Sequence, residues 1–237
     1  MNDLWREWLY PLGFLSSVAF CARMLVQWLS SEKKRESTVT PLFWQLSLCG
    51  NLTLMLHAFI QIQFHVALIQ AGNAVISWRN LNLMLPKEKH FSLKQTMQIL
   101  TGAIFLCILG FAVQGMTLSG NAAFWFRIPA TPWQSHSISH ISFWWHMFGC
   151  FGLALFSTRF WIQWWYAEKF CCSYFNPAFW WTSLMGEGIC LIYFLYIGDP
   201  VNYIGPLFGL VPTIRNLMLI YAPHKTSKNN GIVNELE

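Results

Sequence analysis

The sequence predicts an all-α polytopic membrane protein, with seven transmembrane helices arranged as two parallel three-helix repeats joined by a linker helix. Three observations lead there. Of its 237 residues 55% are hydrophobic and only 11% are charged, against about 25% charged in soluble domains; such a surface would aggregate in water, and a bilayer is its natural solvent. The apolar runs have lengths close to the ~20 residues that cross a hydrocarbon core. One stretch also occurs twice: Arg23-Met24-Leu25-Val26-Gln27-Trp28, closed by Glu32-Lys33, returns as Arg159-Phe160-Trp161-Ile162-Gln163-Trp164, closed by Glu168-Lys169.

Met1 to Trp8 reads as a short amphipathic lead, of mixed charge and without a cleavage pattern after the first apolar run, so that run is expected to stay as a span. The first span is expected over about Tyr10 to Ser30, followed by the solvated loop Glu32-Lys33-Lys34-Arg35-Glu36-Ser37. Pro41 opens the second span, to about Ile62, because a proline in the first helical turn forgoes an N–H that has no partner there. The third runs from about Phe64 to Leu85 and stops at Pro86, where Lys87-Glu88-Lys89-His90 returns to water. The fourth, about Met97 to Thr117, resembles none of its neighbours. The connection Leu118 to Ser142, rich in Trp, Phe, His and Ser, is expected at headgroup level. Spans five to seven follow at about Phe143 to Ala167, Ala178 to Gly198 and Val201 to Tyr221, and the polar tail from Pro223 is expected to fray.

An offset of 136 carries Arg23 onto Arg159, Gln27 onto Gln163, Glu32 onto Glu168, Pro41 onto Pro177, Ser47 onto Ser183, Gly50 onto Gly186 and Arg79-Asn80-Leu81 onto Arg215-Asn216-Leu217. It holds without a gap from Gly13 to Leu85. Each copy holds an odd number of spans, so the unrelated fourth span is what lets both copies run the same way, related by an axis along the membrane normal. The units expected are a first repeat over 10–86, a linker helix and outer loop over 87–142, a second repeat over 143–222 and a tail over 223–237. Lys33, Lys34, Arg35, Lys87, Lys89, Lys94, Lys169, Lys225 and Lys228 fall on one side and Arg6 and Arg127 on the other. The positive-inside rule then puts the N-terminus outside and the C-terminus in the cytoplasm.

The residues able to carry chemistry are polar groups inside the spans: Arg23, Gln27, Asn51, His57, Asn73, Arg79 and Asn80 in the first copy, and Arg159, Gln163, Glu187, Arg215 and Asn216 in the second. An arginine at mid-membrane costs about 2.5–3.5 kcal/mol even on the lenient insertion scale, so it usually faces a cavity or a partner. Gln27 and Gln163 lie one turn beyond their arginines, on the same helix face. Two readings stand side by side. The arginines snorkel toward the headgroups, or they face one cavity, where forked and permanently charged guanidinium groups suit phosphate or carboxylate. Glu187, whose counterpart is Asn51, is the only acidic residue deep in a span; it either pairs structurally with Arg159 or neutralises part of a cationic site. Ligand-binding candidates are accordingly Arg23, Gln27, Arg79, Asn80, Arg159, Gln163, Glu187, Arg215 and Asn216.

Other features point to structure rather than chemistry. The seven cysteines have no Cys-x-x-Cys spacing, and Cys171-Cys172 is too strained a pair for an ordinary disulfide. His136, His140 and His146 lack an acidic companion, so no metal site is expected. Asp199-Pro200 reads as a turn. Trp28, Trp44, Trp164, Trp165, Trp180 and Trp181 read as an aromatic belt, and Lys33-Lys34-Arg35 as a topology determinant able to touch anionic lipid. No phosphate-cradling glycine loop, nucleophile elbow or paired carboxylates occur, and neither a cofactor nor a nucleic-acid partner is expected.

The motif Arg-Phe-x-x-Gln-Trp with Ser/Ala-Glu-Lys behind it, then Ser, Pro, Phe-Trp and Ser-x-x-Gly, and finally Arg-Asn-Leu, resembles the lipid A biosynthesis N-terminal domain family, in both copies and over about 150 residues. Departures are Met24 where the second copy has Phe160, and Cys171-Cys172 in place of basic loop residues. That family is similar to three-helix repeat proteins of the PQ-loop and SWEET kind, although no Pro-Gln pair occurs here. The resemblance implies a multi-pass protein of the bacterial inner membrane, acting in lipid A or lipid-linked glycan biosynthesis on a phospholipid or lipid A-type intermediate. It equally implies a membrane partner of a cytosolic glycosyltransferase, since the family occurs in front of lipid-A-disaccharide synthase, or a small-solute transporter. With no glycosyltransferase domain in these residues, disaccharide synthase activity is not expected of this chain alone.

Overall fold

The helices start where the sequence supplies a cap. Thr40 accepts the amide of Phe43 through its hydroxyl at 3.3 Å with Pro41 behind it, and Asn176 accepts the amide of Phe179 at 2.8 Å with Pro177 behind it. Ser92 and Gln95 bond each other's backbone amides reciprocally, at 3.2 and 2.8 Å. In the computed structural model, which describes residues 4–35, 39–117, 125–129, 131–132, 141–170 and 175–221, these signals give α1 (Leu4–Leu9), α2 (Phe14–Lys34), α3 (Pro41–Gln61), α4 (Phe64–Leu83), α5 (Leu93–Thr117), α6 (Phe143–Phe170), α7 (Pro177–Tyr196) and α8 (Pro200–Tyr221). A 3₁₀ turn at Tyr10–Gly13 joins α1 to α2. No strand occurs among the described residues.

Turns are as repeated as helices. Ile62 ends α3 in the left-handed region at φ 59°, and its counterpart 136 residues on, Gly198, does the same after α7 at φ 69°. The first copy thus holds a β-branched residue in a conformation that glycine adopts freely. Bonds from Gln63 N to Ala58 O, at 2.8 Å, and from Arg127 N to Ile62 O, at 3.1 Å, fix it.

Within each copy the first helix packs on the second and the second on the third; the copies meet where α2 lies against α8 and α4 against α6, and α5 packs on α4. Two apolar layers enclose a polar one. Tyr10, Leu54, Ala58, Val66, Phe111 and Tyr193 belong to one, and Phe43, Trp44, Phe160, Phe175, Phe179 and Trp180 to the other. Trp44 and Trp180 are fully buried and Trp164 nearly so. These tryptophans therefore belong to the core, unlike Trp165 and Trp181, whose exposed rings fit a belt.

Among the described residues, five helical stretches are long and apolar enough to cross a membrane: Trp5–Lys34, Pro41–Gln61, Leu93–Thr117, Pro177–Tyr196 and Pro200–Tyr221. The sequence reading expects seven. The other two, α4 and α6, have 20 and 28 residues, long enough to cross, but they carry much of the polar layer. Fifteen residues of α4 are buried against neighbours, so its composition answers to protein rather than to lipid.

Candidate functional site

The polar layer is built in three levels along α2 and α6, whose repeated residues fall one turn apart on one face. At the lysine-rich end, Arg79 on α4 donates Nε and Nη2 to the two carboxylate oxygens of Glu168 on α6, at 2.6 and 2.9 Å. Arg215 on α8 does the same to Glu32 on α2, with Nη2 to Oε2 at 3.1 Å. Each carboxylate is steadied by the indole N–H one turn before it, Trp164 at 2.8 Å and Trp28 at 3.1 Å. The recurring Gln-Trp-x-x-x-Glu is therefore a device that aims the glutamate across the interface between copies.

One turn further in, Gln27 and Asn216 exchange amide bonds at 3.1 and 3.2 Å. Gln163 and Asn80 exchange theirs at 2.6 and 2.9 Å. All four side chains are fully buried, and reciprocal pairing is how a carboxamide satisfies donor and acceptor at once.

The innermost level holds Arg23 and Arg159. Arg23 donates Nη1 to Ser47 at 3.2 Å, and Arg159 donates Nη1 to Ser183 at 3.3 Å. Arg159 also meets Glu187 Oε1 at 3.0 Å. Ser47 and Ser183 spend their own hydroxyl protons on the carbonyls of Phe43 and Phe179, which turns a lone pair of each toward its arginine. The ring of Phe160 is in reach of both guanidinium groups, 5.3 Å from Arg23 and 4.7 Å from Arg159, a proximity that the ring quadrupole favours. In the first copy the glutamate's position is Asn51, which donates to Ser77 at 3.1 Å. One carboxylate, bonded to Arg159, thus accompanies two buried guanidinium groups. Arg23 Nε and Arg159 Nε and Nη2 have no hydrogen-bond partner, and all three arms lie in a medium where an unmet donor is expensive.

The nine candidates are therefore divided. Arg23, Arg159 and Glu187 come together. The four amides form two paired locks, and Arg79 and Arg215 are taken up by Glu168 and Glu32 instead of joining Arg23 and Arg159 around one four-arginine cavity. Of the two readings offered for Glu187, the pair with Arg159 is seen directly. Of the histidines, His136 and His140 lie outside the described residues, as do Cys171 and Cys172, while His146 Nδ1 sits 3.0 Å from the hydroxyl of Tyr193.

A second polar cluster closes the opposite end, and Asp199 is its centre. It is fully buried, and accepts from Tyr10 Oη at 2.6 Å, Gln63 Nε2 at 2.8 Å and Asn202 Nδ2 at 2.7 Å. Asp199 is thus more than a turn. The signal was in the offset: Gln63 and Asp199 are 136 residues apart, so a residue of one copy meets its own counterpart. The same offset relates Tyr10 to His146 and His57 to Tyr193, and both copies pair a tyrosine ring with a histidine ring, at 5.0 and 6.3 Å.

Apolar helices around a buried, twice-repeated polar layer define a helical protein associated with a membrane. The signature of the lipid A biosynthesis N-terminal domain matches residues 12–82 and again 148–218, and the chain belongs to that family. Similar relatives are the lipid-A-disaccharide synthases of Chlamydia caviae, 36% identical over 226 residues, Chlamydia abortus, 35% over 226, and Chlamydia trachomatis serovar D, 37% over 222. The alignments cover 93, 93 and 90% of this chain and 34% of each relative, so the chain spans about a third of their length. No solved structure matches it.

Proposed function

We propose that the chain is a multi-pass protein of the bacterial inner membrane that binds or translocates a phosphorylated lipid intermediate of lipid A or a related lipid-linked glycan. The family and the relatives support a role in lipid A biosynthesis. The observation that carries the finer reading is the innermost level, where the carboxylate of Glu187 pairs with Arg159, Arg23 bonds Ser47, and both arginines keep unmet donors. A phosphate supplies the missing negative charge and accepts from forked donors. In this reading the two copies run parallel as a SWEET-like three-plus-one-plus-three bundle, with the N-terminus outside and the lysine-rich end in the cytoplasm. The test is binding of phosphatidic acid and of lipid A to the purified protein by native mass spectrometry. Arg23→Ala and Arg159→Ala are expected to weaken both, and unchanged binding in both variants refutes the proposal.

A second reading is favoured by the relatives' length: the chain as the membrane partner of a lipid-A-disaccharide synthase-type glycosyltransferase. Co-purification that depends on Lys33, Lys34 and Arg35 and is indifferent to lipid supports this reading over the first.

A further inference from the structure

The two seams between the copies are equivalent in sequence and unequal in construction. Where α4 meets α6, the Arg79 side chain is 4% exposed and that of Glu168 22%. Arg79 also donates Nη1 to Asn82 Oδ1 at 2.8 Å and to the carbonyl of Phe91 at 2.7 Å, and Phe91 packs on Trp78 with ring centroids 5.1 Å apart. The chain leading into α5 is thereby strapped over this seam. Where α2 meets α8, the Arg215 and Glu32 side chains are 43 and 37% exposed, and α5 packs on α4, away from this seam.

The helices differ as well. α8 contains Pro206 and Pro212, where α4 has Gln70 and Ile76. Each proline leaves the carbonyl four residues back, of Asn202 or Phe208, without its helical donor, and helices bend at such points. Between the prolines, Gly209 lies so close to Glu187 and Met24 that a Cβ would stand 2.5 Å from Glu187 Oε1. The bendable segment of α8 therefore lies directly against the innermost charges.

We propose that the α2/α8 seam is the mouth through which a phosphorylated headgroup reaches Arg23, with Arg215 its first contact and Glu32 the carboxylate that it displaces, while the α4/α6 seam stays shut. The two-point bond that Arg215 makes to Glu32 is one that two phosphate oxygens reproduce. Beyond it, Gln27 and Arg23 follow at one-turn steps along α2, so an anion passing inward exchanges one set of donors for the next. The destination rests on the reading of Arg23 as the phosphate's seat; the position of the mouth rests on the seams alone.

Ser31 on α2 and Ala167 on α6 are counterparts, both fully buried, and each reports on one seam. In a chain whose seven cysteines are replaced, Ser31→Cys or Ala167→Cys is introduced and exposed, in vesicles, to a charged maleimide on the lysine-rich side. Ser31→Cys is expected to react about tenfold faster, as local opening of one seam requires; equal rates, or a faster Ala167→Cys, overturn the mouth even where phosphatidic acid binds. Adding phosphatidic acid to phosphatidylcholine vesicles is expected to slow Ser31→Cys several-fold in a manner lost in Arg215→Gln. A fast Ser31→Cys that phosphatidic acid leaves unchanged overturns the phosphate's seat and leaves the mouth standing. Hydrogen exchange on the unsubstituted protein needs no variant to fold. Residues 205–216 are expected to exchange faster than 69–80, and the reverse order overturns the proposal.

Discussion

Replacing Glu187 by glutamine is the most direct test of the innermost level. The variant keeps the shape and removes the only carboxylate among two buried guanidinium groups. Glu187 and Arg159 are both fully buried and their bonded atoms are 3.0 Å apart. Unit charges about 4 Å apart attract by about 4 kcal/mol at an effective dielectric near 20, and breaking a buried pair by removing one partner typically loses about 3–5 kcal/mol. For a chain of this size that is a fall in melting midpoint on the order of 10 °C. The 14 tryptophans make the melt of the detergent-solubilised protein measurable by intrinsic fluorescence. Arg159→Gln is expected to fall comparably, and the double variant to fall by less than the two single losses together, because the second change removes a charge already stranded. A midpoint for Glu187→Gln within about 2 °C of the parent, or strictly additive losses, would refute the reasoning.

Asp199→Ala removes the acceptor used by the Tyr10 hydroxyl and by the Gln63 and Asn202 amides, of which Asn202 Nδ2 keeps Gln63 Oε1 at 3.4 Å; at about 1–3 kcal/mol for each buried donor that loses its acceptor, its melting midpoint should fall about as far as that of Glu187→Gln, with Asp199→Asn between. Gly186→Ala places a Cβ 2.5 Å from the backbone Cα of Phe156, whereas Gly188 has nothing within 4 Å; the first should lose about 1–3 kcal/mol by thermal melt and Gly188→Ala should lose none of that. Gln27→Ala and Gln163→Ala each remove the reciprocal pair of bonds to a buried asparagine, whose amide still reaches a carbonyl of its own helix, Pro212 O for Asn216 and Ile76 O for Asn80; the two lost bonds should cost about 1–3 kcal/mol in chemical or thermal unfolding, and a neutral result for both would show that the amide locks hold nothing.

Element order was legible from the chain. Apolar runs bounded by Pro41, Pro86 and Pro177 fall within a few residues of α3, α4 and α7, and the offset of 136 that relates the copies is the one that separates the two family matches. The pairing across copies was not legible. An offset says which residues are equivalent and nothing about which equivalents touch, so Arg79 and Arg215 looked like further members of Arg23's set until Glu168 and Glu32 were found opposite them. Trp44 and Trp180 misled for a related reason, since proximity to a span's end does not say whether a ring points into the bundle or out to the headgroups. Asp199 was hidden by its neighbour, because Asp-Pro after an apolar run has a sufficient explanation as a turn.

The contact between Gln63 and Asp199 has a consequence for what such a duplicated chain can do. In a dimer of two identical subunits, a residue on the two-fold axis meets its own copy. An aspartate there would face an aspartate, and two carboxylates so close cannot both ionise. Joined in one chain, the halves are free to differ at the axis, so acid faces amide. The same freedom sets Asn51 against Glu187, and gives the protein's centre an odd charge. A symmetric pair can offer only even numbers of any group about its axis; a single chain can offer one.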